Sequence, residues 1–255
     1  MKRKFFILGL IVVIITLIVL RGRTPNTPKP PAPTYSAEPV YAQVEDAETG
    51  KPLAGVVVVA YWALYDGNPN GVGYRPCGAA YVEEALTGED GRFRLPGWGP
   101  RNGGCGAMYS GEPNIYFFKP GYLYQTKFGH LKEDSNQQFL VSTLAKVDWN
   151  GQVILLERYP HGDLRTDGEF SNAQNFYELN YRLRQFVVDM PAECNWKKIP
   201  GMLRALIVQR RAFNAAGNYL DAMDIDLTND DQSKYMHKFA PQCGYPRDFV
   251  EPLEK

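Results

Sequence analysis

Between residues 40 and 158 the chain consists of short apolar or alternating segments separated by turn residues. The segments are rich in Val, Ile, Tyr and Phe, and Gly, Pro, Asn or Asp bounds them, as is typical of β-strands. They are VYAQV (40–44), GVVVVAYWAL (55–64), AYVEEAL (80–86), RFRL (92–95), NIYFF (114–118), QQFLVSTL (137–144) and QVILLE (152–157). No long helical pattern separates them, so a parallel βαβ sheet is disfavoured. A mainly β chain with an antiparallel sandwich of about seven strands is predicted.

Several motifs in this region resemble carboxypeptidase regulatory-like domains. VEDAETGKPLAGVVV (44–58) is similar to the opening hairpin of that family, and EALTGEDGRF (84–93) with LPG (95–97) is similar to its next hairpin. FKPGY (118–122) resembles a late strand–turn element of the family. The resemblance implies a transthyretin-like (prealbumin-like) β-sandwich over about 40–158. It also implies a non-catalytic accessory or interaction module and supplies no catalytic residue.

Turn residues in these motifs agree with the resemblance. Thr49-Gly50 and Asp90-Gly91 supply positions of positive φ for tight turns, and Pro120-Gly121 suits a type II turn. Side chains alternate across a strand, so Val56 and Val58 are expected to face one side of the sheet and Val57 the other.

Two long loops, about 66–79 and 97–113, depart from the plain family pattern, and each contains one cysteine. Aromatic and arginine side chains on such loops can form a recognition surface. The alternative interpretation, which we favour because one sequence shows no exposure, is that the rings cap the exposed end of the core. The candidate binding residues are Tyr74, Arg75, Trp98, Arg101 and Tyr109, with Tyr65 beside them.

The chain begins with MKRK followed by an uncharged apolar run, FFILGLIVVIITLIVL (5–20). As a helix this run is roughly 24 Å long, somewhat shorter than the hydrocarbon core of about 30 Å. Arg21 and Arg23 follow it instead of a small-residue cleavage site, which favours an uncleaved membrane anchor over residues 1–23 rather than a removed signal peptide. The basic residues before the run slightly outnumber those after it. This predicts a single-pass protein with a cytoplasmic N-terminus and a periplasmic or extracellular folded part.

Residues 24–39 contain six prolines. Proline lacks a backbone donor and fixes φ, so this segment is predicted to be an extended Pro-rich linker that forms neither a helix nor a sheet ladder. A spacer between the anchor and the folded part is the favoured interpretation, and a ligand for a Pro-binding module is the alternative.

The four cysteines are Cys77, Cys105, Cys194 and Cys243. They form no C-x-x-C motif and no histidine stands near them at zinc-finger spacing, so a metal cluster is disfavoured. In an oxidising compartment they are expected to pair, and three pairings are possible. The first two lie in the strand-rich part and the last two in the helix-rich part. We therefore predict Cys77–Cys105 and Cys194–Cys243.

Residues 163–255 have the periodicity of helices and form a predicted C-terminal α-helical extension. A capping-box pattern at 171–174 opens the first helix and Pro191 ends it. A second helix is expected near Pro200, and a third from about 230 to 240. The extension has few apolar residues of its own, so it is expected to pack against the sandwich. Its apolar stripes are Phe176, Leu179, Leu183, Phe186, Val187 and Met190 in the first helix, and Leu203, Leu206, Ile207, Phe213 and Leu220 in the second.

Charged residues give no clear site. The chain has 28 Lys+Arg and 28 Asp+Glu, so bulk charge does not predict nucleic-acid binding. A calcium loop that starts at Asp224 lacks the glycine at its sixth position (Asn229) and the acid at its twelfth (Tyr235), so helix capping explains the acidic run better. A basic cluster could contact phosphates or an acidic partner, although a solvated helix face is the commoner explanation. The basic cluster is Lys197, Lys198, Arg204, Arg210 and Arg211, and the acidic run is Asp221, Asp224, Asp226, Asp230 and Asp231.

The histidines, His130, His161 and His237, are isolated, and no H-E-x-x-H, G-x-S-x-G or P-loop pattern is present. No catalytic residue, metal or cofactor is therefore predicted, and the protein is not expected to be an enzyme. The leading hypothesis is a membrane-anchored cell-envelope binding or structural protein that presents its sandwich to an envelope protein or a glycan. The alternatives are a small envelope hydrolase with a site between the sandwich and the helical extension, and an accessory subunit of an enzyme complex.

Overall fold

A computed structural model of the chain describes residues 33–67, 73–129, 141–159, 172–187, 193–215 and 230–254. This part is mainly β and contains ten strands and four α-helices. The strands are β1 Thr34–Ala37, β2 Val40–Asp46, β3 Val57–Gly67, β4 Tyr74–Leu86, β5 Arg92–Leu95, β6 Trp98–Asn102, β7 Asn114–Phe118, β8 Gln125–Lys127, β9 Leu144–Ala145 and β10 Val153–Leu156. The helices are α1 Asn172–Val187, α2 Pro200–Ala215, α3 Asp230–Phe239 and α4 Pro246–Val250, with 3-10 turns at Asn195–Lys198, Pro241–Cys243 and Glu251–Glu254.

The predicted membrane anchor, residues 1–23, lies outside the described residues. Within the described ranges, no helix combines the length and the apolar character that crossing a bilayer requires.

The strands form three sheets, with the orders β6–β1–β9, β10–β2–β5 and β4–β3–β7–β8. Most neighbours are antiparallel, but β1 pairs with β9 and β2 pairs with β10 in parallel. The expectation of a wholly antiparallel sandwich with about seven strands is therefore corrected. A parallel pair needs a long crossover connection, and the described part of the chain between β2 and β10 contains the strands β3 to β9.

The predicted Pro-rich linker is wrong at its C-terminal end, because Thr34–Ala37 forms β1 between β6 and β9. Its sequence, TYSA, contains no proline, and the side chains of Tyr35 and Ala37 are buried. The two predicted long loops are also partly strand, since β4 begins at Tyr74 and β6 covers Trp98–Asn102. Strand β6 has the sequence WGPRN, and it was not predicted because glycine and proline have low strand propensity.

The central strand β3 is buried on both of its faces. Val56, Val58 and Trp62 point into the core between the sheets, whereas Val57 and Val59 point towards the helices, as the alternation predicts. The helices cover the outer face of β4–β3–β7–β8 and share an apolar cluster with it. The expectation that the helical extension packs against the sandwich is therefore confirmed. The helical side of this cluster includes Phe176, Leu179, Leu183, Met202, Leu203, Leu206 and Phe213.

The turns and the disulfides that the sequence predicted are confirmed. Gly50, Gly91 and Gly121 have φ values of 63°, 73° and 89°. A Cβ at Gly91 would lie 2.4 Å from the Val44 carbonyl oxygen, so this turn requires glycine. Both predicted disulfides, Cys77–Cys105 and Cys194–Cys243, are present.

Candidate binding surface

The predicted loop-end residue Trp98 lies in β6 and is only 8% exposed. Its ring packs edge-on against Trp62, with the centroids 5.3 Å apart, and lies 5.4 Å from Tyr81. The guanidinium of Arg101 stands 4.4 Å above the Tyr81 ring and closes this aromatic cluster from outside. These contacts agree with the alternative interpretation, in which the rings cap the end of the core.

The other predicted residues lie apart from that cluster or at its margin. Tyr109 is half-buried against Tyr65, with ring centroids 6.5 Å apart. Tyr74 begins β4, and Arg75 is exposed on the same strand. The Cys77–Cys105 disulfide joins β4 to the segment after β6, as expected if it ties these regions together. A binding role for Tyr74, Arg75, Trp98, Arg101 and Tyr109 stays a prediction.

The helical layer is attached to the sheet by a half-buried carboxylate. Glu84 on β4 accepts hydrogen bonds from the backbone N–H groups of Gly201 and Met202, both at 2.8 Å, and so caps the first turn of α2. Burial raises the pKa of Glu84, and the two backbone hydrogen bonds oppose that shift only in part. A Cβ on Gly201 would lie 2.8 Å from Glu84 Oε1, so this close approach favours glycine.

Two amide side chains repeat this arrangement further along the interface. Gln209 Oε1 on α2 accepts a hydrogen bond of 2.8 Å from the Gly121 N–H, and Asn175 Oδ1 on α1 accepts one of 3.0 Å from the Tyr124 N–H. Gln209 is buried, so its bond replaces water at both partners. Together with the apolar cluster, these bonds occupy this face of the β4–β3–β7–β8 sheet, and a partner has no access to the part that the helices cover.

The carboxylate of Asp46, at the end of β2, is buried and is held by hydrogen bonds from neighbouring side chains and backbone groups. Its carboxylate accepts hydrogen bonds from Tyr122 Oη at 2.8 Å, Arg158 Nε at 2.7 Å, and the backbone N–H groups of Glu48 at 3.1 Å and Thr49 at 2.9 Å. Burial acts to raise the pKa of this carboxyl, but the hydrogen bonds, led by that from Tyr122, outweigh it and hold the pKa far below its usual range. Asp46 thus joins the ends of β2 and β10 to the turn before Tyr122.

The outer face of β10–β2–β5 differs from the helix-covered sheet because its side chains are exposed. Tyr41 on β2 stands opposite Arg94 on β5, and Gln43 stands between Val153 and Arg92. Tyr41 and Val153 are each 48% exposed. Leu155, beyond Val153 on β10, is 52% exposed. This open face, defined by the outward residues of the three strands, combines one aromatic ring, two aliphatic side chains, the amide of Gln43, two arginines and the carboxylate of Glu45, which stands opposite Leu155.

A depression with a volume of about 260 Å³ lies in the open face beside Tyr41. Gly151, which has a φ of 78°, forms one side of it, and a Cβ there would lie 3.6 Å from Tyr41 Cε2. Asn150 holds this turn against β2, because its Oδ1 accepts from the Tyr41 N–H at 2.9 Å and its Nδ2 donates to the Pro39 carbonyl at 3.1 Å. The residues that line the depression are Tyr41, Ala42, Gln43, Arg92, Phe93 and Gly151.

The sequence reading did not select Tyr41, although a signal for it was present. In VYAQVED the inward positions are Val40, Ala42 and Val44, which leaves Tyr41 and Gln43 on the outside. A large aromatic side chain at a solvent position of a half-buried strand is the feature that could have drawn attention to this face.

The basic cluster is divided among local contacts. Arg204 Nε donates to the Leu253 carbonyl at 3.2 Å, and Lys198 Nζ donates to Asn195 Oδ1 at 2.9 Å. Lys197 Nζ lies 5.1 Å from the centroid of the Trp196 ring. Arg210 and Arg211 lie one helical turn or more further along α2. These contacts support the interpretation as a solvated helix face.

The predicted metal and catalytic candidates lie mostly outside the described residues, including His130, His161 and the segment 221–226. His237 lies on α3, where its ring stacks on Tyr245 with centroids 3.8 Å apart. The same helix begins at Asp230, and Asp231 lies in its first turn, where a carboxylate is favourable to the helix dipole. In the described ranges, no three His, Cys, Asp or Glu side chains come together in a way that could hold a metal ion.

No family model matches the chain, and no curated protein matches it. Among solved structures, it resembles a streptococcal ancillary pilin at 18% identity and a TM-score of 0.22, covering 51% of this chain and 31% of that chain. It also resembles the group B streptococcus pilus 2b backbone protein at 14% identity and a TM-score of 0.23, covering 48% and 41%. A third match is the dioxygenase domain of a dioxygenase–carbohydrate-binding protein fusion from Streptomyces sp. SirexAA-E, at 20% identity and a TM-score of 0.27, covering 51% and 82%. The chain spans less than half the length of both pilins, and similarity at this level assigns neither a family nor an activity.

Proposed function

We propose that this protein is a non-catalytic, membrane-anchored binding or structural protein of the cell envelope, which presents its β-sandwich to a protein or glycan partner. The observation that carries the proposal is the difference between the two outer faces of the sandwich. Helices and buried hydrogen bonds occupy one face, whereas the other keeps an aromatic side chain half exposed beside a depression of about 260 Å³. Exposed apolar and aromatic groups beside convergent polar groups are typical of a binding surface.

We further propose that residues of about 40–158 form a carboxypeptidase regulatory-like domain with a transthyretin-like fold. The positive φ values at Gly50, Gly91 and Gly121 support it, because the resembling motifs need those turns. The antiparallel pairing of β2 with β5, in which Val40 stands opposite Leu95, also supports it, since it joins strands from the two resembling motifs in one sheet. In that family the module is accessory, which agrees with a binding role.

The envelope location rests on two features of the chain. All four cysteines are joined in disulfides, as expected in an oxidising compartment. The apolar run at 5–20 with basic residues on both sides supports the proposed anchor over residues 1–23, with the N-terminus in the cytoplasm and the folded part periplasmic or extracellular. The proline-rich residues before β1 would then separate the sandwich from the lipid.

A site-specific crosslinking experiment in intact cells tests the proposal. A photoreactive amino acid is placed at Tyr41 on the open face and, in a second variant, at Tyr181 on α1, which is similarly exposed at 47%. After illumination of intact cells, we expect crosslinked products of defined mass from position 41 and not from position 181. These products should be recovered in the membrane fraction, and the folded part should be accessible to a reagent that does not cross the cytoplasmic membrane. Equal labelling at both positions, or recovery of the protein in the cytosol with reduced thiols, would contradict the proposal.

A further inference from the structure

We propose that the open face binds an acidic saccharide, with a sugar ring against Tyr41 and its carboxylate at Arg94 and Arg92. This inference rests on the proposed binding function and specifies the ligand. It begins from the position of the depression, which lies over β2 and β5 beside the turn before β10 and is bounded by Tyr41, Gln43, Arg92 and Gly151.

A peptide strand does not suit this position. β2 is the central strand of its sheet, and its backbone pairs with β5 on one side and with β10 on the other. Recognition at Tyr41 must therefore come from side chains, because β2 itself has no open edge; β5, an edge strand of this sheet, contributes Arg92 and Phe93 to the depression.

A large protein interface does not suit it either. Neighbouring strands are about 4.8 Å apart, and each residue advances a strand by about 3.4 Å. A face of three strands with about four residues each therefore measures roughly 200 Å². A stable protein–protein interface buries about 800 Å² on each partner. The open face is therefore of the size expected for a small ligand or for a short stretch of a polymer.

The side chains around the depression suit a sugar. Tyr41 presents a half-exposed ring with a polar hydroxyl, and the absence of a side chain at Gly151 leaves space beside that ring. Gln43 and Arg92 line the same depression and supply hydrogen-bond groups at its rim. A volume of about 260 Å³ lies just below the range of about 300–1,000 Å³ for pockets of drug-sized ligands, as one sugar unit requires.

The charge of the face favours an acidic sugar. Arg92 and Arg94 are two residues apart on β5, so they point to the same side, and the guanidinium fork matches a carboxylate. Asp90 lies 4.0 Å from Arg92 and balances part of its charge, and Glu45 is held by Gln43 Nε2 at 3.1 Å. No ion pair joins Arg94 to another described residue, and Arg94 stands directly opposite Tyr41. A carboxylate on a sugar that stacks on Tyr41 would complement this charge.

The test is a calorimetric titration of the full chain, purified in detergent, with a trimer of galacturonic acid and with a trimer of galactose. We expect the acidic trimer to bind at least about tenfold more tightly, with an affinity that falls as salt is added. Tyr41→Ala and Arg94→Gln should each weaken that binding by about tenfold or more, and Arg94→Lys should restore only part of it because it keeps the charge without the fork. Tyr181→Ala is the matched control and should leave binding unchanged.

The substituted side chains are exposed to solvent, so each variant is expected to fold. An unchanged urea midpoint for each variant shows that the fold is retained. Equal binding of the two trimers, or full affinity in Arg94→Gln, would overturn the acidic part of the inference. Full affinity in Tyr41→Ala, or no binding of either trimer, would overturn it entirely. If crosslinks from position 41 persist in cells while neither trimer binds, the proposed function stands and the saccharide is wrong. If neither is seen, both proposals fail.

Discussion

The two outer faces of the sandwich are built from the same alternation of side chains but have different surroundings. In β3 the outward residues, Val57 and Val59, are as apolar as the inward ones, and helices cover them. In β2 the outward residues are Tyr41, Gln43 and Glu45, and solvent reaches them. A continuous apolar run therefore indicates a strand covered on both faces, whereas an alternating run indicates a strand with one open face.

The faces also differ in how they use polar groups. On the covered face, Glu84, Gln209 and Asn175 each reach across to backbone N–H groups of the other layer. On the open face, Arg94 and Arg92 extend into solvent. The covered face therefore serves stability and the open face is free to serve binding. The predictions that follow test this division.

The largest expected effect comes from two adjacent phenylalanines on β7 that point to opposite sides. Phe117 packs against Phe93 in the sandwich core, with centroids 5.7 Å apart, and Phe118 packs against Phe176 of α1, with centroids 6.0 Å apart. Both side chains are fully buried, so Phe117→Ala and Phe118→Ala should each lower the free energy of unfolding by roughly 3–5 kcal/mol. Urea unfolding measures both losses.

Hydrogen exchange separates the two variants. Phe118→Ala should increase exchange first in α1 and α2, and Phe117→Ala should increase it first in β2 and β5, because stability is lost locally before it is lost globally. The same exchange pattern in both variants would show that the covered face and the core are one cooperative unit, against the division drawn here.

The next effect concerns the two disulfides. The Cys194–Cys243 bridge has a sequence separation of 49 residues, and loop-closure entropy predicts a loss of about 4 kcal/mol when both cysteines are replaced by serine. For Cys77–Cys105, with a separation of 28, the same relation predicts about 3.5 kcal/mol. Thermal unfolding should show the larger loss for the helical pair. If removing Cys77–Cys105 lowers stability clearly more than removing Cys194–Cys243, the helical layer does not depend on its disulfide.

Both pairings could be predicted from the sequence, because each bridge lies within a part of one secondary-structure type. The turns at Gly50 and Gly91, the stripes of α1 and α2 and the strands β2, β5 and β7 are local patterns and were predicted for the same reason. Strand β1 was missed because prolines surround it, and β6 was missed because it contains Gly99 and Pro100. The parallel partners of β1 and β2 depend on segments more than 100 residues away, which no local pattern encodes.

The candidate surface was missed for a related reason. The sequence offered Trp98 and Arg101 as binding candidates because aromatic and arginine residues on loops are common in binding sites, although it favoured the interpretation in which the rings cap the core. In the structure, Trp98 completes the aromatic cluster with Trp62 and Tyr81, a contact between three separate strands. Tyr41 became a candidate only when the strand register placed Arg94 opposite it and the turn at Gly151 beside it.

A smaller effect is expected at the half-buried Glu84, which caps α2. Glu84→Ala removes the acceptor for two backbone N–H groups of the first helical turn, and loss of such a cap costs about 1–2 kcal/mol. Glu89→Ala, at an exposed position of the following turn, is the control and should change stability by less than about 0.5 kcal/mol. Exchange of the α2 amides near Gly201 and Met202 is the measurement that locates the loss. Equal stability of the two variants would remove Glu84 from the attachment of the helices.

The smallest expected effect is the pH dependence of the same cap. Burial raises the pKa of Glu84 in the folded chain above its value in the unfolded chain, so the folded state binds more protons between the two. The contribution of Glu84 to stability is therefore most favourable below the unfolded pKa and declines as pH rises through the folded pKa. Comparing urea midpoints of the wild type and Glu84→Gln across this range isolates the titration, because the glutamine stays neutral. We expect the wild-type midpoint to fall relative to that of Glu84→Gln as pH rises. A wild-type midpoint that instead rises relative to that of Glu84→Gln would reverse the sign, and would mean that the hydrogen bonds to Gly201 and Met202 outweigh the burial of the charge.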